Sequence, residues 1–371
     1  MANADVIIIG GGIHGCSAAL HLALRGVKSL VIEKDHVGRH ASGVNAGGVR
    51  RLGRHLDEIA LSCASMELWH RIRDLVDDDC GFEASGQVKI AETEADLDVL
   101  RRRVAEVRSR GFEHEELVGR DALCHWLPAV AEHCVGGIVV RTDGAANPYR
   151  TTLAFRRKAA SLGVQFIEGV RVTGLTRDGT SWRVATSDGK HSAMKIVNCA
   201  GAWAHHIAAM LGEPVPLEAI APMMMITQPM PPFVKPVVGA TSRPLSFKQM
   251  PNGTVMIGGG RRGTPYPDSN ETDLDFRELA LGARTVLDLF PIMGRAEVVR
   301  CWAGIEARMP DDIPVIGPSS TSEGVFHAFG FSAHGFQMGP GVGSVMAEIV
   351  TQGTTNAALA PFDIRRFQQL P

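Results

Sequence analysis

A chain of 371 residues is too long for one ordinary core and calls for two connected domains. A net charge of −2 speaks against nucleic acid or an anionic membrane surface as partner, and no run approaches the roughly 18 apolar residues of a membrane span. Seven cysteines are scattered without a CxxC pair, which argues against zinc and iron–sulfur sites and fits reduced thiols in the cytoplasm; the opening residues, with no basic stretch ahead of the short apolar run 6–9, give no sign of a secretory leader.

In chain order, the β-branched run 5–9 predicts a strand buried on both faces. Glycines follow at 10, 11, 12 and 15, then apolar residues at helical spacing over 16–25, stopped by Gly26. A second strand covers 29–33. Helices are predicted over 55–76 and 93–110, with a strand at 86–91 between them. A strand at 135–141 leads through Asn147-Pro148-Tyr149 into a helix over 149–162. Short strands follow at 164–168, 170–175, 182–186 and 194–198. The Pro-, Met- and Gly-rich stretch 222–260 holds strands at 223–228 and 254–258, and Met223-Met224-Met225 reads as core strand rather than ligand surface. A helix is expected over 271–288, then a strand at 325–328, a Gly-rich turn and a helix near 341–352.

The segment Gly10-Gly11-Gly12-Ile13-His14-Gly15 fits GxGxxG in the context that gives the motif meaning. It follows a strand, opens a helix, and has Glu33 at the end of the next strand, 18 residues after Gly15. Gly10 permits the tight turn, Gly12 lets the backbone approach a pyrophosphate, and Gly15 lets helix and strand pack closely. The helix N-terminus offers N–H groups and positive dipole to the phosphates. Glu33 can accept ribose hydroxyls and would repel a 2′-phosphate, so NADP is disfavoured. The motif alone does not separate FAD from NAD. A second small-residue segment, His40 to Arg50, allows close approach to a flat ligand, with Ser42 and Asn45 as hydrogen-bonding groups; from composition alone it reads equally as a flexible loop.

With these two segments, four further blocks resemble the D-amino-acid oxidase superfamily, in its glycine oxidase and sarcosine oxidase branch. They are Val197 to Trp203, Trp302-Ala303-Gly304, Pro310 to Gly317, and Gly330 to Phe336. The stretch from Trp302 through 331–338 to Glu348 looks most similar to β subunits of bacterial opine and D-hydroxyproline dehydrogenases. The resemblance implies an α/β fold with a discontinuous Rossmann-type FAD-binding domain over 1–84, 142–217 and 298–371. A β-sheet-rich substrate domain would come from 85–141 and 218–297. It also implies FAD. The AMP, ribose and pyrophosphate would lie on Gly12, Glu33, Lys34, Ser42, Ala46, Gly47, Val172, Ala200 and Gly201, with Gly10, Ile13, His14, Gly15, Asn45, Gly48 and Trp203 in the same blocks. The flavin would lie on Gly304, Gly330, Ser332, His334, Gly335, Phe336, Gln337 and Met338. A Gly-rich turn feeding a helix suits the N1–C2=O edge of a reduced flavin, since its N–H groups stabilise negative charge.

Oxidation of an amine by flavin needs position and electrostatics more than acid–base machinery. Glycine oxidase-like members carry an arginine two residues after Trp-Ala-Gly; here that position is Glu306. Glu306 would meet a cationic substrate group or simply pair with Arg308 or another arginine. Sarcosine oxidases place arginines just after the second glycine segment, where Arg50 stands beside Arg51 and Arg54. Arg50 is the preferred anchor for a substrate carboxylate, with a solvated or phosphate-facing arginine as the alternative. Lys248 and Arg261 are weaker anchor candidates that read more readily as surface charges. Monomeric sarcosine oxidase has a lysine over the flavin that promotes reaction with oxygen. Met256 stands at its place, which favours a dehydrogenase. That family's covalent cysteine aligns near Gly304, three residues from Cys301, so non-covalent FAD is expected. His334 would orient the turn or contact flavin, and the other histidines show no metal-ligand spacing. The expected activity is FAD-dependent oxidation of a small amino acid, imino acid, opine or N-alkyl amino acid. The β-subunit resemblance adds a hetero-oligomer with an electron-accepting partner subunit. A peroxide-forming oxidase and a non-catalytic FAD-binding electron-transfer subunit are the alternatives.

Overall fold

The structure is a computed structural model and describes residues 3–367. Residues 1–2 and 368–371, touched by the leader reading and by the outer bounds of the expected domains, lie outside it. The elements used below are β1 (Asn3–Ile9), α1 (Ile13–Ala23), β2 (Ser29–Ile32), α2 (Ile59–His70), β3 (Gln87–Ala91), α3 (Pro148–Ser161), β4 (Gln165–Ile167), β5 (Gly189–Asn198), β6 (Glu218–Thr227), β7 (Val237–Ala240), β8 (Ser246–Gln249), β9 (Val255–Gly258), β10 (Val298–Ala303), β11 (Val315–Pro318), β12 (Val325–Phe329) and α4 (Gly335–Gln352).

The described residues form two large sheets, of eight and eleven strands. In the first, the order β11-β12-β5-β1-β2-β4 is parallel except for the antiparallel edge β11. Its centre is the β-branched run of the sequence: Ile8 lies between Val197 and Val31, and all of Val6, Ile7, Ile8 and Ile9 are buried. Apolar residues on both faces are what a parallel sheet covered by helices requires. The chain therefore has the mixed α/β architecture expected of it.

Helix α1 starts at Ile13, three residues earlier than its apolar periodicity suggested, because Gly15 lies inside it. The span 55–76 is broken: a 3₁₀ turn at Leu56–Glu58 precedes α2, and Arg71 leaves helical angles before Ile72–Val76. The largest correction is α4. Its first two turns, Gly335 to Pro340 and beyond, hold glycines and a proline, which favour a turn on propensity alone. Tertiary packing overrides propensity here. A Cβ at Gly339 would lie 2.5 Å from Ile13 Cγ1, and one at Gly341 would lie 2.8 Å from the Ser65 Cβ. The glycines let α4 seat between α1 and α2. Helix α3 matches its signal, with the Asn147 side chain accepting the Arg150 N–H at 3.0 Å and Pro148 in the first turn.

The second sheet runs through β6-β9-β8-β7-β3, with the edge strand β10 on β6. Alternation gives it two faces. Val88, Ile90, Val238, Phe247, Val255, Ile257, Met223 and Met225 face a common core, as read for Met223 and Met225. The opposite face carries two cross-strand rows. One holds Gln87, Val237, Lys248, Met256 and Ile226, and the other holds Lys89, Gly239, Ser246 and Gly258. Strand β10 and the short strand Glu306–Arg308 belong to this second sheet, so the segment 298–371 joins the first sheet only from Val315.

Substituting Gly343 by alanine tests the helix packing. Its Cβ would lie 2.6 Å from the backbone carbon of Ser17, where nothing can yield cheaply. Steric cost should outweigh the gain in helix propensity, for a net loss of about 1–2 kcal/mol. A lowered urea midpoint at unchanged m-value is the expected result.

Candidate active site

The Gly10–Gly15 loop has the geometry its sequence demands. Gly10 has φ +107°, and a Cβ there would overlap the Cys199 carbonyl; a Cβ at Gly15 would overlap the Gly10 carbonyl oxygen. Gly12 precedes α1 without a capping side chain. The Ile13 N–H donates instead to Ser42 Oγ at 2.9 Å. Other N–H groups of the first turn have no partner inside the helix, which makes the turn an anion site. Glu33 Oε2 accepts the Gly11 N–H at 2.6 Å and Oε1 accepts the Asp35 N–H at 2.9 Å. Burial pushes its carboxyl above the ordinary value. Each oxygen keeps a second lone pair for a hydroxyl.

The second small-residue segment is ordered rather than loose. It forms a short helix at Ala41–Val44, and Gly48–Val49 pairs with Gly144–Ala145. Asn45 is spent on this local fold: its Oδ1 accepts the Gly47 N–H at 2.8 Å and its Nδ2 donates to the Ala41 carbonyl at 2.8 Å. Lys34 is also engaged, lying 3.7 Å over the Trp203 ring and donating to Asn270 Oδ1 at 2.6 Å.

A cavity of about 1140 Å³ separates the two sheets. Gly10, Gly12, Ile13, His14, Glu33 and Lys34 face it. So do Ser42, Asn45, Ala46, Gly47 and Gly48, with Val172 from the first sheet and Ala200, Gly201 and Trp203 from the turn that follows β5. Gly304, Gly330, His334, Gly335 and Phe336 close it from the C-terminal part of the chain, with Arg50 and Glu306. Five expected residues lie off its wall. Gly15 packs under the loop. Ser332 is buried behind the turn, its Oγ accepting the Met309 N–H at 3.0 Å. Gln337 and Met338 are buried inside the α4 packing, Gln337 Oε1 accepting from Arg54 at 3.0 Å and Ser62 at 2.8 Å. Met256 shares the cavity-side face of its sheet without lining the cavity.

The turn before α4 is held in an uncommon conformation. Ser332 and Ala333 are both left-handed, with φ +49° and +66°. Two bonds fix them: Ser332 N–H to the Ala307 carbonyl at 3.1 Å, and Ala333 N–H to Glu306 Oε1 at 2.7 Å. Glu306 is thus not a partner of Arg308, which pairs with Asp312 at 2.8 Å. Burial raises the Glu306 carboxyl to about 7, against weaker opposing effects of the Ala333 N–H and Arg262. His14 stacks on Phe331 at 3.6 Å, and burial lowers it to about 3, so its ring is neutral. His334 Nδ1 lies 3.6 Å from Glu58 Oε2. Burial holds His334 below its ordinary value; Glu58, which burial alone would raise, is held low by His334, Arg54 and Arg50.

Two polar groups on this wall, Gln87 and Lys89, escaped the sequence reading, and Lys248 was misplaced by it. Lys248 is 6% exposed and has no hydrogen-bond or ion-pair partner among the described residues. It is no surface charge: its ammonium lies 3.2 Å from where a Gly47 Cβ would stand, and burial lowers it to about 8. Lys89 and Gln87 face the cavity from β3. The alternation Gln87-Val88-Lys89-Ile90 was the available signal, a strand with one polar face turned inward. Arg261, by contrast, pairs with Glu278 at 2.8 Å.

A backbone cradle for a diphosphate at one end, and a strained turn feeding a helix at the other, define a dinucleotide-dependent oxidoreductase of the flavin type. The chain belongs to the family of FAD dependent oxidoreductases named DAO, whose model matches residues 5–349. It is 24% identical to hydrogen cyanide synthase subunit HcnC of Pseudomonas aeruginosa, over 99% of this chain and 97% of that one. It is 25% identical to sarcosine oxidase subunit beta of an Arthrobacter species, over 98% and 91%. The crystal structure of L-proline dehydrogenase from P. horikoshii superposes with a TM-score of 0.92 at 26% identity, over 99% and 98%.

Replacing Gly15 with alanine should cost FAD more than fold. Because the new Cβ meets backbone, the loop must open, and flavin retention by the purified protein should fall at least tenfold, read by absorbance near the visible flavin bands.

Proposed function

We propose that this chain oxidises the C–N bond of a small amino acid, imino acid, opine or N-alkyl amino acid, acting as an FAD-dependent dehydrogenase. The observation that carries the reading is the pairing of opposite charges across the flavin end of one cavity: Arg50 and Glu306 both open onto it. The residues fit FAD. Glycines stand where a Cβ would close the cradle, and the first turn of α1 has no capping side chain of its own. Bound FAD supplies a hydride acceptor, and the resulting imine hydrolyses in water.

The chain's own residues bind, orient and deprotonate. Arg50 donates to the Leu52 carbonyl at 2.6 Å and has no carboxylate partner among the described residues. Its remaining N–H groups suit a substrate carboxylate in bidentate fashion. Glu306, with Oε1 tied to Ala333, has Oε2 for the amine. Hydride loss requires a neutral amine, and a carboxylate with pKa about 7 can take the ammonium proton near neutral pH. Cys301 lies on the core side of β10, which supports non-covalent FAD. The seven cysteines are free, which supports a reducing compartment such as the cytoplasm. Met256 carries no charge, which supports the dehydrogenase, and a dehydrogenase needs an electron-accepting partner. Two relatives are subunits by name.

Lys248 favours a second reading, a true oxidase. It neighbours Met256 across β8 and β9, so a cation lost from one strand stands on the next. Peroxide yield against dye reduction separates the two. In an oxidase, Lys248→Met should slow flavin reoxidation by oxygen at least tenfold; unchanged reoxidation leaves the dehydrogenase.

Arg50→Met should lower kcat/KM for an amino-acid substrate by about 2–5 kcal/mol, thirtyfold or more. Anaerobic flavin reduction checks this, and an untouched rate would remove Arg50 from the site. If no amine bleaches the flavin, the chain is a non-catalytic electron-transfer subunit. The rate of flavin reduction should rise with pH through about 7, since Glu306 acts as base only when ionised. Glu306→Gln should flatten that limb.

A further inference from the structure

The wall around Arg50 carries more positive than negative charge. Arg51 pairs with the buried Asp143 at 3.4 Å, and Arg103 with the buried Glu115 at 3.1 Å. Arg54 and the buried Glu58 act on each other as opposite charges, with Arg54 also bonded to Gln337. Each of the three carboxylates thus has its cation. Arg50 and Lys89 both face the cavity, and the same carboxylates act on them only beyond contact range: Glu58, Asp143 and Glu115 on Arg50, and Glu115 on Lys89. Neither has a salt-bridge partner among the described residues. Lys89 loses ionisation first to burial and then to the Arg50 guanidinium, so the two are near enough to repel. Half-buried like charges of this kind are eased by an anion between them.

A second feature points the same way. Gln87 is 7% exposed, sits two residues from Lys89 on the same strand face and lines the cavity, and its amide Nε2, which donates to nothing among the described residues, can donate to a carboxylate. Arg243 also reaches this wall, but Glu92 at 2.5 Å and Asp288 at 2.8 Å already neutralise it.

We infer that Lys89 and Gln87 form a subsite for a second carboxylate, so that the substrate is an amine bearing two carboxylates, one held by Arg50 and one by Lys89. The inference rests on the amine-oxidising reading above and narrows its substrate class. A monocarboxylic amino acid held by Arg50 would leave Lys89 without a carboxylate of its own.

Two non-oxidisable thioethers test it on the FAD-loaded enzyme. Thiodiacetate carries two carboxylates, and (methylthio)acetate carries one on the same skeleton. Titrated against the flavin absorbance, thiodiacetate should bind at least tenfold more tightly. Lys89→Met, which keeps the side-chain length, should abolish that preference while leaving (methylthio)acetate affinity within twofold. Lys89→Arg should restore it. Equal affinities in the unaltered enzyme, or a preference that survives Lys89→Met, would overturn the subsite. Anaerobic reduction by iminodiacetate and sarcosine is the separate readout for catalysis. If neither thioether preference nor Lys89 dependence fails but no amine bleaches the flavin, the subsite stands and the amine-oxidising reading falls.

Discussion

Helix α1 can approach β1 only because residue 15 lacks a side chain, and the cavity depends on that approach. With Gly15 against the Gly10 carbonyl, the first turn of α1 points its N–H groups along the loop. Helix α4 then docks on α1 through Gly339 and Gly343, which meet Ile13 and Ser17. This places the start of α4 beside the start of α1, so that Phe331 stacks on His14. Two helix N-termini thereby open into one space. Each contributes partial positive charge without burying an ion. Arg50, Lys89 and Glu306 add full charges on the far wall.

The nucleotide end was the legible part of this molecule. Its chemistry is carried by backbone, and backbone needs announce themselves as glycines at fixed spacing. Glu33, Val172, Ala200 and Gly201 all reach the cavity as the blocks implied. Helix α4 was less legible for the same reason in reverse. Its glycines serve a helix–helix contact that lies 276 or more positions away in the chain, as Gly341 against Ser65 shows. Local propensity then points to a turn, and only the tertiary contact explains the helix.

Side-chain chemistry at the substrate end was harder to read. Arg50 and Glu306 were found through their distance from recognisable blocks. Lys248 was taken for a surface charge because lysines mostly are. What buries it is strand register: it pairs with Met256 in a row that faces inward. Register is set by turns and partners scattered over the sheet, and a four-residue strand such as Ser246–Gln249 carries too little pattern to reveal it. Asn45 failed differently. Its side chain could have met a ligand, yet it closes its own loop instead.

The substrate end is electrically polarised, and the titration behaviour of its groups says how. Arg262 is the one charge that acts on Glu306 among the described residues; neither Arg50 nor Lys89 does. Were Glu306 close to those cations, they would hold its carboxyl down. Burial thus sets its raised value of about 7, opposed only by the Ala333 N–H and Arg262. A zwitterion entering the cavity meets cations on the sheet side and a carboxyl at the turn, and only one orientation satisfies both. Reversal would set carboxylate beside Glu306 and ammonium beside Arg50, contacts between like charges. Orientation is thus selected by charge before any close contact is made. Because Glu306 also fixes the Ala333 N–H, the group proposed to meet the amine is held by the turn before α4, which is proposed to flank the flavin. Substrate position and flavin position are referred to the same few atoms, which is what transfer between two specified atoms requires.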